Sequence, residues 1–189
     1  MNKTTILLII SDIFVLTGFG LILPILAIFI KENLVGGTIF AAGIASMTFI
    51  VTKSIVQIPL SKMVDRHERS FRVKIVVIGT FIESTVPFIY IFSNHVNFIY
   101  LAQIVQGLGS GLAFPSWVGI WSRSSDINHK SFDWSLYSTL TGIGTGATAL
   151  IGAEIAQLFG FVYTFIIVGI MSLFGCFILL GLETNKSST

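Results

Sequence analysis

Six long apolar stretches, parted by short polar segments, constrain what this chain can fold into more than any other feature of it. They cover residues 5–30, 38–64, 73–92, 97–121, 132–158 and 160–182. About 20 helical residues cross a hydrocarbon core roughly 30 Å thick, and each stretch reaches that length. The runs are long, do not alternate, and are rich in Gly, Ala and Leu, which excludes strands. A helix also satisfies its own backbone groups in lipid, where water cannot. The fifth and sixth stretches are parted only near Phe159 and Gly160. The expected class is therefore an all-α membrane protein, one domain over 1–189 with six transmembrane helices. Composition agrees, since 11% of residues are charged against roughly a quarter in soluble domains. The first stretch is too long for a signal peptide and has no small-residue cleavage site after it, so it is expected to stay in the mature protein. Cys176, the single cysteine, allows no intrachain disulfide.

Basic residues gather on the cytoplasmic side of membrane proteins. With six spans, Lys3, Lys62, Arg66, Arg69, Arg72, Lys74, Arg123, Lys130 and Lys186 share one side. Lys31 alone takes the other, and Lys53 falls within a span. This division predicts both termini in the cytoplasm and a plasma or inner cell membrane around the helices.

The pattern G-x-G-L-x-x-P occurs twice. It reads Gly18-Phe19-Gly20-Leu21-Ile22-Leu23-Pro24 in the first stretch and Gly109-Ser110-Gly111-Leu112-Ala113-Phe114-Pro115 in the fourth. Those two helices run in opposite directions, and the prolines fall at similar depths. The pattern predicts two three-helix units of inverted topology, and the same offset sets Asp12 opposite Gln103. Inverted repeats are a transporter device, although small residues and proline are also common in membrane helices generally.

The segment between the second and third stretches reads Ser61-Lys62-Met63-Val64-Asp65-Arg66-His67-Glu68-Arg69-Ser70. It resembles the G-x-L-A-D-R-x-G-R-K loop of the major facilitator superfamily. Asp65, Arg66 and Arg69 match, Ser61 and Glu68 replace the two glycines, and Ser70 replaces a basic residue. The resemblance extends to Gln106-Gly107 with Pro115, to the glycine-rich fifth stretch, and to the ending Leu182-Glu183-Thr184. It covers the whole chain but half of a usual twelve-helix member. Two positions depart from the pattern: Gln103 stands where proton-linked exporters often carry arginine, and Ala149 where the antiporter motif has proline.

The resemblance implies secondary transport by alternating access, with helices 1 and 4 lining a central cavity. Asp12, Gly20, Pro24, Gln103, Gln106, Gly111 and Pro115 are its expected lining. For Asp65, Arg66 and Arg69 it implies a conformational latch, in which a carboxylate faces the positive N-terminus of a neighbouring helix. Arg66, Arg69, Arg72 and Lys74 also read as an inner-face anchor. Twelve-helix members consist of two halves related by an axis along the membrane normal. A six-helix chain is thus expected to complete the architecture as a parallel two-fold homodimer, its second helix against the partner's fifth, with the third and sixth in lipid.

Asp12, Lys53, Glu83 and Glu154 lie within the apolar stretches. Each costs at least ~2.5 kcal/mol at the membrane centre, which makes each a functional candidate. From the helical rise, Asp12 lies about 10 Å, Glu83 about 15 Å and Lys53 about 18 Å from the inner helix ends. Those depths let Lys53 pair with Asp12 or Glu83, while Glu154 near the outer end is too far. Making and breaking a Lys53 pair would couple proton uptake to movement; the alternative is that the charges only lock helices together. Gly142, Gly144, Gly146 and Gly152 supply close helix packing or flexibility. His67, His95 and His129 have no metal-ligand neighbours and read as solvated surface, so neither metal nor cofactor is expected. Trp117, Trp121 and Trp134 read as anchors at the inner interface. With no P-loop, nucleophile elbow or zinc motif, the chain reads neither as an enzyme nor as an ATP-driven pump, and nothing points to nucleic acid.

Together these features predict a half-size secondary transporter acting as a homodimer in the lipid bilayer. Protons would couple through Asp12, with Lys53 and Glu83 as modulators, and the cargo would be small amphipathic, drug-like solutes. Sugar or metabolite uptake by the same architecture is one alternative. A non-transporting partner subunit or a truncated half, which suits an ending just after the sixth stretch, is another.

Overall fold

A computed structural model describes residues 2–124 and 129–182. Lys186 and the Glu183-Thr184 ending lie outside the described residues. Helical segments follow one another as α1 Lys3–Gly20, α2 Leu26–Asn33, α3 Ile39–Arg66, α4 Arg69–Ile91, α5 Val96–Ser124, α6 Lys130–Phe159 and α7 Phe161–Leu180. By length and composition α1, α3, α4, α5 and α7 are able to cross a membrane. α6 has 30 residues and is long enough, but it is not among the helices that are apolar enough along one continuous stretch.

The first apolar stretch is two helices rather than the single one expected. Pro24 has no N–H, so the helical ladder loses a bond there. Residues 21–25 tighten into turns, with the Leu21 N–H donating to the Gly18 carbonyl at 3.1 Å and the Ile25 N–H to the Ile22 carbonyl at 3.0 Å. Pro115, at the same place in the second copy of the motif, lies inside α5 without ending it. Pro115 is buried whereas Pro24 is exposed, so packing supports the one and not the other. Between α6 and α7 the chain turns at Gly160, whose φ of 92° and ψ of 164° fall in a region essentially restricted to glycine.

Helix packing follows an exchange of two triplets. α1 packs on α7 and α6, α5 packs on α4 and α3, and α4 packs on α7. Swapping α1 with α5, α3 with α6 and α4 with α7 maps these contacts onto one another. The repeated G-x-G explains why. Gly18 lies against Val168, Met171 and Ser172 of α7, and Gly109 against Gly79, Ile82 and Glu83 of α4. Two residues on, Gly20 lies against Thr145 and Thr148 of α6, and Gly111 against Lys53 and Val56 of α3. In each copy one glycine admits one neighbouring helix and the next glycine admits the other. Glu83 and Ser172 therefore hold corresponding places, as do Lys53 and Thr145.

Two apolar cores occupy opposite ends of the bundle. One joins Leu21, Phe29, Tyr90, Ile99 and Phe165; the other joins Leu8, Val76, Trp117, Trp121 and Leu179. Between them lies a layer of small and polar residues, where the Ser11 hydroxyl donates to the Gly175 carbonyl at 2.8 Å. Asp12, Lys53 and Glu83 stand at the level of this layer, whereas Glu154 lies towards the end of α6.

Candidate functional site

Asp12 projects from α1 and is half-buried. The Tyr137 hydroxyl of α6 donates to its Oδ2 at 2.6 Å. Tyr137 is itself held in an aromatic cluster, its ring centroid 5.0 Å from Trp117, 5.6 Å from Trp121 and 5.4 Å from Trp134. Trp117 and Trp121 stack at 4.9 Å and are buried. They are packing residues rather than the interfacial anchors expected, because α6 covers them; Trp134 alone remains half exposed.

Glu83, on α4, accepts a hydrogen bond from the Ser110 hydroxyl of α5. Asp12 and Lys53 both stand close enough to act electrostatically on it. The expected ion pair of Lys53 with Asp12 or Glu83 is not formed. Each carboxylate takes a neutral hydroxyl instead, and the Lys53 ammonium lies over the rings of Phe114, at 4.9 Å, and Phe49, at 5.9 Å. The cause is the packing of α3 on α5: a methyl group at Gly111 would stand 3.1 Å from the Lys53 carbonyl oxygen. That contact sets Lys53 beside Phe114 before it reaches Glu83.

The residues expected to line a cavity divide into two sets. Gly20, Gln103, Gly111 and Pro115 are buried inside the bundle, the glycines because neighbouring helices need their space. Gln103 Nε2 donates to the Tyr90 hydroxyl at 2.7 Å, and that hydroxyl donates to Gln106 Oε1 at 3.2 Å, a chain linking α4 and α5. Asp12 and Gln106 are half-buried and Pro24 is exposed, so these three keep access to the surroundings. Of the α6 glycines, Gly144 meets Thr17 and Gly152 meets the Leu21 backbone, whereas Gly142 and Gly146 face open space. The first pair packs as expected; the second lies on the opposite face and packs against nothing in the bundle. Glu154 is exposed towards the end of α6.

At the other end of the site, Asp65, Arg66 and Arg69 are exposed around the α3–α4 turn. The Asp65 carbonyl accepts from Arg123 Nη2 at 3.4 Å, and Arg69 Nη2 donates to Thr4 Oγ1 at 3.0 Å. These residues border an open cleft of about 550 Å³. Arg72 is the residue sequence reasoning undervalued as one more surface charge. It is buried, with Nε donating to the Val64 carbonyl at 3.0 Å and Nη2 to the His67 carbonyl, so it clasps the end of α3. Its spacing of four and seven residues from Val76 and Gly79, which share the buried face of α4, was the available signal. His67 is also less free than expected: Nδ1 lies 2.7 Å from the Met63 carbonyl and the ring stacks on Phe71. Asp133, in the first turn of α6, is buried, and its Oδ2 has no partner among the described residues.

The bundle thus combines repeated G-x-G packing, a broken first helix and carboxylates between two apolar cores. The sequence profile of the Major Facilitator Superfamily matches residues 8–189. The chain belongs to that family. Family and apolar helices together make it a multi-pass membrane protein. Among curated family members it is similar to the Quinolone resistance protein NorA of Staphylococcus aureus, 21% identical over 144 residues, which are 76% of this chain and 36% of that protein. It is also similar to the Multidrug resistance protein 2 of Bacillus subtilis, 28% identical over 116 residues, 61% of this chain and 28% of that one. The matched region is thus about a third of the length of these relatives.

Proposed function

We propose that this bundle is one half of a secondary transporter that moves small amphipathic, drug-like solutes by alternating access, coupled to protons through Asp12. The observation that carries this reading is the Tyr137–Asp12 hydrogen bond of 2.6 Å inside the bundle. A hydrogen bond to an ionised carboxylate is roughly twice as strong as one between neutral groups. A proton arriving on Asp12 therefore loosens the tie between α1 and α6, the two helices whose separation would open a path. Relatives named for drug resistance support the solute class. Glu83 and Lys53, next along the same polar layer, modulate the Asp12 charge.

A parallel second copy completes the architecture in this reading, with α3 of one protomer against α6 of its partner. The open glycine faces at Gly43, Gly142 and Gly146 support that arrangement, because small residues let membrane helices approach closely. Asp65, Arg66 and Arg69 then latch one conformation against the partner's α6, and both termini face the cytoplasm. Asp12, Gln106 and Pro24 line the shared path. The test is proton-linked flux in liposomes: Asp12→Asn abolishes it while the protein still assembles, and unchanged flux rejects the proton role. Cross-linking in active membranes that finds only monomers rejects the dimer. A second reading, a subunit that works only beside another protein, draws on the same open faces. Solute movement by the purified chain alone excludes it.

A further inference from the structure

Asp12 and Glu83 each receive a hydroxyl donor, but no such group serves Lys53. Its ammonium has neither hydrogen bond nor ion pair among the described residues, only the faces of Phe114 and Phe49. Lys53 sits at the middle of the 28-residue α3. Each end of that helix is about 20 Å away, further than a four-carbon stem can snorkel. A cation at such depth faces a partner or a water-filled passage rather than lipid. Glu83 lies beyond ion-pair distance of it and accepts from the Ser110 hydroxyl instead. Phe114 is 45% exposed, so the ammonium and the ring stand together at the open edge between α3 and α5. A ring face beside an unneutralised ammonium is complementary to a flat apolar body carrying an acidic group.

We infer that Lys53, flanked by Phe114 and Phe49, anchors an anionic group of the transported solute, which makes aromatic organic acids and zwitterions the preferred cargo class. This rests on the transport reading and specifies its substrate. Ionised Glu83 competes with the solute for the same ammonium.

The test uses the full chain in phosphatidylcholine liposomes and two fluorescent probes: dansylglycine, which carries a carboxylate, and dansylamide, which does not. Energy transfer from the protein's tryptophans to the dansyl ring reads binding. Dansylglycine binds about tenfold or more tightly than dansylamide, the scale of one ionic contact. Lys53→Gln erases that preference while dansylamide binding stays, Lys53→Arg keeps it, and Glu83→Gln strengthens it. Equal binding of the two probes to the unmodified chain overturns the inference, as does a preference that survives Lys53→Gln. Absence of saturable dansylglycine binding overturns it too. Loss of preference in Glu83→Gln overturns it by marking Lys53 as an internal counter-ion. Carboxylate preference without proton-linked flux overturns only the transport reading, and flux of dansylamide without carboxylate preference overturns only the anchor.

Discussion

Substituting Gly109 by alanine tests whether the repeated glycines are what joins the helices. The added methyl group would stand 2.8 Å from the Glu83 amide nitrogen and 2.8 Å from the Gly79 carbonyl oxygen, inside the 3.4 Å at which ordinary contact begins. Both atoms belong to the α4 backbone, which cannot rotate away as a side chain would, so the helix has to shift as a body. Overpacking of this kind costs roughly 1–3 kcal/mol, offset by the roughly 0.5–1 kcal/mol that alanine gains over glycine within a helix. From the middle of each range the net loss is about 1 kcal/mol. At Gly43, which has nothing within 4 Å, only the gain remains. Cys176, the single cysteine, is buried in α7, so a thiol-reactive dye reports unfolding on heating without any added label. For a chain of this size 1 kcal/mol moves Tm by about 2–4 °C. Gly109→Ala in dilute micelles should therefore unfold roughly 2–4 °C early, and Gly43→Ala at the unmodified temperature or above. A Gly109→Ala protein as stable as the original, or an equal fall for Gly43→Ala, refutes the argument.

Gly160→Ala forces a side chain into the φ of 92° that joins α6 to α7, and should cost of order 1–3 kcal/mol in the same heating assay. Arg72→Met leaves the Val64 and His67 carbonyls without their donor. It should destabilise by about 1–3 kcal/mol and open the α3–α4 turn to limited proteolysis; unchanged cleavage refutes the clasp. Tyr137→Phe removes the donor to Asp12 and should change the pH profile of flux while the protein still assembles; superimposable profiles refute a coupling role for that bond. A cysteine at Ile50, exposed on α3, paired with one at Gly146 of α6 in a Cys176→Ser background should cross-link two copies in the membrane, whereas the pair of Ile50 with Gly144, which faces Thr17 inside the bundle, should not. The reverse pattern excludes the proposed interface.

The lengths of the apolar runs made the helical class legible, because spanning lipid leaves few alternatives to a long helix. The G-x-G repeat was legible as well, and the packing gives its two glycines distinct neighbours. The break of the first helix was not, since Pro24 and Pro115 occupy the same place in the motif and differ only in burial, which three-dimensional packing decides. Lys53 was read by depth alone. Depth places two groups at one level but says nothing of azimuth around the helix, and azimuth turned Lys53 towards Phe114. For the same reason a run of glycines in α6 reads as one feature in sequence and divides into a packed face and an open one.

The exchange that maps one triplet of helices onto the other holds for shape and fails for charge. Asp12, Lys53 and Glu83 correspond to Gln103, Thr145 and Ser172, none of which gains or loses a proton near neutrality. If, in the proposed cycle, the triplets trade postures, its two extremes match in outline but not in energy. Proton supply and membrane voltage then act on one arm of the lever alone, and the direction in which the unloaded machine rests is written into those three positions.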